Sequence, residues 1–331
     1  MIKVSHLTKY YGDFLAVDDL SFEIGEGQVY GFLGPNGAGK TTTMNILTGC
    51  LSPTSGKAEI GGYDIFEEPA KAKRLIGYLP EQPPLYLSES PAEYLRFVGE
   101  AKGLRGGELS AQIEEVLDKV RITEVRNRRI SSLSKGYRQR VGIAQALLGN
   151  PEVIILDEPT VGLDPIQIVE IRDLIRQLGQ EHTVIFSSHI LTEVQAICEK
   201  ILIISHGRLV AFDSPENLER SLSSSEIRFV TDAPASRIPE ILAGVDGLSG
   251  LVTEPLDDHT VSARAEVLSP DLKAVSRAVF FAFARADQPL LELSPRKATL
   301  EDIFLELTES GSSDLPDQSV PDSSTPEVNR P

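Results

Sequence analysis

The sequence predicts an α/β fold on a parallel sheet covered on both faces, followed by a smaller α+β unit. Three observations predict it. Apolar runs at Val153 to Leu156, Thr183 to Phe186 and Ile201 to Ile204 read as strands buried on both faces. Segments of helical period separate them. From about residue 225 the order becomes strand, helix, strand, strand, helix, strand, the split ferredoxin-like pattern.

Each element has a local reason. Residues 1 to about 84 begin with short strands in which Val4, Leu20, Phe22 and Ile24 are spaced for period-two burial. Val29 to Leu33 reads as a buried strand that runs into Gly34-Pro35-Asn36-Gly37, where no strand can continue. Met44, Leu47 and Thr48 then look helical. Residues from about 85 to 150 are mostly helical. Ser90-Pro91-Ala92-Glu93 supplies a cap, a proline at the first helical position and a glutamate at the third. Ile113, Val116, Leu117 and Val120 follow with helical period. Residues 151 to about 220 alternate strand and helix, which makes 1–220 one domain with a helical subdomain at about 85–150.

The second domain is expected over 225–308. Ile227 and Phe229 alternate, and a short helix is predicted at 238–242. Strands follow near Leu251 and Val261. A helix carrying Leu272, Val275 and Val279 precedes a strand from Leu290 to Leu293. A last helix over 300–307 would place Ile303, Phe304 and Leu307 on one face. Residues 309–331 are rich in Ser, Pro and Asp, with five acids against one base. Such a segment buries too little apolar surface to order itself and is expected to be a disordered acidic tail.

Bulk properties bound the function. The 331 residues carry a net charge of −17, which argues against nucleic acid as the partner. A small phosphate ligand is not excluded, because a helix N-terminus and one lysine can hold it locally. Cys50 and Cys198 have no metal or redox spacing and read as small buried hydrophobes in a reducing cytoplasm. No apolar run approaches the roughly 18 residues needed to span a bilayer, so membrane spans would have to come from another polypeptide.

Gly34-Pro35-Asn36-Gly37-Ala38-Gly39-Lys40-Thr41 matches G-x-x-x-x-G-K-[ST] between a strand and a helix. Its glycines let backbone N–H groups approach phosphate oxygens, and the helix N-terminus adds positive potential. Lys40 reaches the β- and γ-phosphates of ATP, the Thr41 hydroxyl can ligate Mg²⁺, and Thr42 belongs to the same nucleotide-binding set. Asp157, at the tip of the apolar run 153–156, is the expected Mg²⁺ partner. Glu158 follows it, where it could polarise an attacking water.

Leu133-Ser134-Lys135-Gly136-Tyr137-Arg138-Gln139-Arg140 completes the set. With the two motifs above it resembles the signature of the ATP-binding-cassette (ABC) family, usually Leu-Ser-Gly-Gly-Gln. Lys135 replaces the first glycine and Tyr137 the glutamine, while Ser134 and Gly136, the phosphate-touching positions, are retained. Gly162-Leu163-Asp164-Pro165 looks like the family's D-loop, and His189 after Ser187-Ser188 like its switch histidine, which contacts the γ-phosphate. Tyr11 occupies the place of the aromatic that stacks on adenine. The glutamine that contacts Mg²⁺ and water falls at Glu81 by register or at Gln82 by residue type, and both remain candidates. The resemblance covers about residues 2 to 220; Thr299 to Phe304 is similar to the extension of ABC-2-type exporter ATPases.

The resemblance implies a P-loop NTPase that works as a head-to-tail dimer, with ATP at Lys40 of one subunit covered by Ser134 and Gly136 of the other. It implies membrane (permease) subunits that lie against the helical region, and a place on the cytoplasmic face of the membrane. Export is the direction the C-terminal extension suggests. Alternatives are an importer ATPase, an ABC ATPase acting on ribosomes or DNA, and a non-enzymatic regulatory module. The intact Lys40, Asp157, Glu158 and His189 argue against the last.

Overall fold

The computed structural model describes residues 2–222, 225–257, 260–269, 271–297, 301 and 304. β1 (Ile2–Tyr11) and β2 (Phe14–Ile24) form an antiparallel hairpin, with Ile2 opposite Ile24 and Tyr11 opposite Phe14. At ten and eleven residues these strands are longer than the short ones expected from the sequence. Shifts of register break the period-two pattern partway, so only the regular stretch was readable.

β3 (Val29–Leu33) is buried throughout and leads through the glycine loop into α1 (Lys40–Leu47). β4 (Ser55–Ile60) and β5 (Tyr63–Asp64) extend the hairpin into a separate sheet of order β2-β1-β4-β5. α2 (Pro69–Arg74) opens on a proline and precedes β6 (Ile76–Leu79).

The helical region contains α3 (Pro91–Ala101), α4 (Gly106–Lys119) and α5 (Lys135–Leu147). The capping box is formed: the Glu93 amide donates to the Ser90 hydroxyl, and the Ser90 amide donates to Glu93 at 2.9 Å. Leu109, Ile113, Val116 and Leu117 are the buried stripe of α4.

Alternation then resumes with β7 (Val153–Leu156), α6 (Pro165–Leu178), β8 (Thr183–Ser188), α7 (Leu191–Ile197), β9 (Lys200–Ser205) and β10 (Arg208–Asp213). The central sheet has the order β10-β9-β3-β8-β7-β6. It is parallel except for the edge strand β10.

Its strands feed two cores. Ile154, Leu156, Val184, Phe186, Ile201 and Ile203 pack with the helices α3 to α7. Their neighbours Val153, Ile155, Ile185, Leu202 and Ile204 pack with α1, α2 and the antiparallel sheet. The second face is therefore closed by a sheet and two helices, a pairing that strand periodicity alone does not encode. Because β3, β6, β7 and β8 run parallel, the loops after them emerge at one edge, where open α/β sheets bind ligands.

After α8 (Pro215–Leu222), a third sheet with its helices is built from β11 (Ser225–Thr231), α9 (Ile238–Leu242), β12 (Leu248–Pro255), β13 (Val261–Val267), α10 (Leu272–Arg285) and β14 (Leu290–Lys297). Its order β12-β13-β11-β14 is wholly antiparallel, as a split βαβ arrangement requires. It has its own core, with Ile227 and Phe229 against Val279 and Phe283.

Of the helix expected over 300–307, only Glu301 and Phe304 are described, and Phe304 packs against the helix-side core of the central sheet. The expected acidic tail, 309–331, lies outside the described residues. Cys198 is buried as expected, but Cys50 is exposed: it follows the left-handed Gly49 that turns the chain out of α1. Among the described residues no helix is long and apolar enough to cross a membrane.

Candidate functional site

The loop after β3 cannot accept side chains at two of its glycines. A Cβ on Gly34 would lie 2.5 Å from the Ile204 carbonyl oxygen, and one on Gly39, at φ 99°, 2.5 Å from that of Ala16. The loop thus sits pressed between β9 and β2. Lys40 is only 6 % exposed, and its Nζ donates to the Gly34 and Pro35 carbonyls at 2.8 and 3.3 Å. The same ammonium lies 3.4 Å from Glu158 Oε1.

β7 delivers two carboxylates with different surroundings. Asp157 is fully buried. Ser187 Oγ donates to its Oδ1 at 2.6 Å, and the Thr41 hydroxyl lies 3.5 Å from the same oxygen. Burial pushes the Asp157 carboxyl above its ordinary pKa, against the hydrogen bonds from Ser187 and Thr41. Its Oδ2 is buried with no partner.

An orphaned carboxylate oxygen beside a threonine hydroxyl fits a hard divalent cation. Among the described residues no cluster of three or more His, Cys, Asp or Glu could hold a metal unaided. Phosphate oxygens and water would complete the shell, as is usual for Mg²⁺.

Glu158 stands at φ 47°, a left-handed conformation that costs a non-glycine residue on the order of 1–3 kcal/mol. Its amide donates to Ser187 Oγ at 2.8 Å, which pins the strained turn to β8. His189 Nδ1 lies 2.9 Å from Glu158 Oε2. The carboxylate is therefore bracketed by Lys40 on one oxygen and His189 on the other.

These groups border a cleft of about 430 Å³, a size typical of small-ligand sites. Of the residues singled out from sequence, Tyr11, Pro35, Asn36, Gly37, Gly39, Lys40, Thr41, Thr42, Glu81, Glu158 and His189 line it. Gly34, Ala38 and Asp157 are buried and do not line it. Glu81 lines the cleft and Gln82 does not.

Sequence reasoning missed Phe14, Ala16 and Val161, which also line the cleft. Phe14 sits opposite Tyr11 across the first hairpin, and that pairing was its only available signal.

Ser134, Gly136 and Asp164 do not reach this cleft. Ser134 caps α5, with its hydroxyl 3.4 Å from the Tyr137 amide that donates to it. Asp164 caps α6 through the Gln167 amide at 2.9 Å. A Cβ on Gly136 would meet the Gln167 side chain at 2.7 Å, so the two helix starts form one packed patch. This patch lies apart from the Lys40 cleft.

Comparison with known proteins fits this geometry. The family model described as "ABC transporter" matches residues 17–161. The linearmycin resistance ATP-binding protein LnrL of Bacillus subtilis (strain 168) is 34 % identical over 93 % of this chain and 98 % of its own. The bacitracin transport ATP-binding protein BcrA of Bacillus licheniformis is 42 % identical over 63 % of this chain and 68 % of its own. A solved dimer of the ATP-binding cassette MJ0796, in a post-hydrolysis state with ADP and Pi, superposes with a TM-score of 0.59 at 28 % identity, covering 65 % of this chain and 98 % of that one. This chain belongs to the ABC transporter family, as one of its ATP-binding proteins.

Proposed function

We propose that the chain binds and hydrolyses MgATP in the Lys40 cleft, as half of a head-to-tail dimer, and powers export through separate membrane subunits. The observation that carries the hydrolytic reading is the pair at the end of β7. Asp157 offers an unpartnered buried oxygen, and Glu158 is held in a strained turn between Lys40 and His189.

Each residue then has a task. Tyr11 and Phe14 offer ring faces to the base. Lys40 exchanges its loop carbonyls and Glu158 for phosphate oxygens. Thr41, Asp157 and Glu81 would hold Mg²⁺, which would supply charge neutralisation at the transferring phosphoryl group. Glu158, released from Lys40, accepts a proton from the attacking water, and His189 orients it and contacts the γ-phosphate. Ser134, Gly136 and Asp164 serve the cleft of the second subunit, which explains why they lie outside their own.

Export is supported by the similarity to a linearmycin resistance protein, which spans 93 % of this chain and so extends into the third sheet. A membrane partner is supported by an exposed aromatic patch at the start of the helical region. There Tyr86 and Phe97 are both half exposed, with ring centroids 5.1 Å apart.

The test is phosphate release from ATP by the purified chain, run beside capture of partners from a membrane extract. Release together with captured membrane subunits supports the reading. Bound ATP without release, or captured ribosomes, overturns it.

A further inference from the structure

We infer that Glu193 is a positioning residue that sets the Glu158–His189 pair; the inference rests on the hydrolytic reading above. Glu193 lies in the first turn of α7 and is 3 % exposed. It touches neither the cleft nor, among the described residues, any cationic side chain. Burying a carboxylate without a counter-charge is costly unless hydrogen bonds replace its water.

The replacement is specific. Thr160 Oγ1 donates to Glu193 Oε2 at 2.6 Å, and Ser188 Oγ donates to the same oxygen at 3.1 Å. Ser188 Oγ in turn accepts the Ile190 amide at 3.0 Å. Thr160 is two residues past Glu158, and Ser188 immediately precedes His189. One buried oxygen therefore ties the turn that carries the base to the turn that carries the histidine.

The two turns are already joined in front by Ser187, through Asp157 and the Glu158 amide. Glu193 joins them again from behind. Glu158 holds a left-handed φ that an untethered glutamate would leave. An acceptor at position 193 takes both hydroxyl protons; an apolar residue would leave two buried hydroxyl protons without that acceptor. Glutamine keeps such an acceptor and loses the charge, so it separates geometry from electrostatics.

The test compares Glu193→Ala and Glu193→Gln in the full chain, measuring ATP Kd, kcat and the melting temperature. Glu193→Ala is expected to lose on the order of 10- to 100-fold in kcat, the cost of misplacing a reacting group by about an ångström, with ATP Kd unchanged. Glu193→Gln restores kcat to within a few-fold. Adding Glu193→Ala to His189→Ala costs little more than His189→Ala alone, because both act on one pair. If Glu193→Ala does not fold, Thr160→Val cuts one arm of the clamp and carries the same expectations.

Wild-type kcat in Glu193→Ala, or equal losses of Kd and kcat that glutamine does not repair, overturns the positioning role. Glu158→Gln, run alongside, separates the two readings. Normal turnover in that variant overturns the hydrolytic assignment itself. An inactive Glu158→Gln beside a fully active Glu193→Ala overturns only the clamp.

Discussion

His189 Nδ1 lies 2.9 Å from Glu158 Oε2, on the opposite carboxylate oxygen from the one facing Lys40. Both Glu158 oxygens therefore have a partner. On the proposed hydrolytic reading, phosphate oxygens that draw Lys40 away would leave Glu158 with one oxygen free for water and the other aligned by His189, so that substrate binding would switch the base on.

Glu158→Gln removes the proton acceptor and keeps the shape. It is expected to lower kcat by on the order of 10²–10⁴, the usual contribution of general base catalysis. ATP affinity should stay within a few-fold of wild type. A phosphate-release assay paired with nucleotide titration measures both.

Lys40→Ala should act on binding first. A hydrogen bond to a charged group contributes about 1.5–3 kcal/mol, hence about 10- to 150-fold in Kd. Calorimetric titration with ATP reads this. Unchanged affinity would place the phosphates elsewhere.

Asp157 gives a pH dependence. Its folded-state pKa is raised, chiefly by burial, so the native chain holds this proton more tightly than the unfolded one. Its contribution to stability is greatest below the unfolded carboxylate range, about pH 4, and is lost as pH rises through the folded value. Asp157→Asn, which keeps an acceptor for Ser187, should therefore melt higher than wild type at neutral pH without metal. That difference should shrink on acidification. MgADP should raise the melting temperature of wild type and not of the variant. Thermal melts against pH, with and without MgADP, check the sign.

Tyr11 and Phe14 are 47 % and 64 % exposed, so replacing either by alanine should leave the melting temperature unchanged. Stacking on a base contributes about 1–3 kcal/mol, and its loss should weaken ATP and ADP equally. Titration of each variant with both nucleotides shows which ring carries the adenine.

What the sequence revealed and what it withheld follow from range. Gly34 to Thr41 and the apolar run before Asp157 are local patterns, and each sits where its motif placed it. The βαββαβ order of the third sheet was readable because its apolar period changes from two to helical and back between successive elements. The antiparallel sheet that joins β4 to β1 was not, since its register shifts interrupt the alternation. Phe14 reaches the cleft only through its cross-strand pairing with Tyr11. Glu193 carries no local sequence signal, because its partners, Thr160 and Ser188, arrive from two different turns. Cys50 looked apolar by type, yet the Gly49 turn carries it to the surface.

The central claim is that one chain holds only half of a working site, with Ser134 and Gly136 serving a partner's Lys40 cleft. The most direct measurement is the solution mass of Glu158→Gln with MgATP, by light scattering, with Ser134→Arg/Glu158→Gln alongside. The account predicts twice the 36.1 kDa of a single chain for the first and a single-chain mass with ATP bound for the second. A Glu158→Gln chain that stays at single-chain mass when saturated with ATP, or a dimer indifferent to Ser134→Arg, would contradict it.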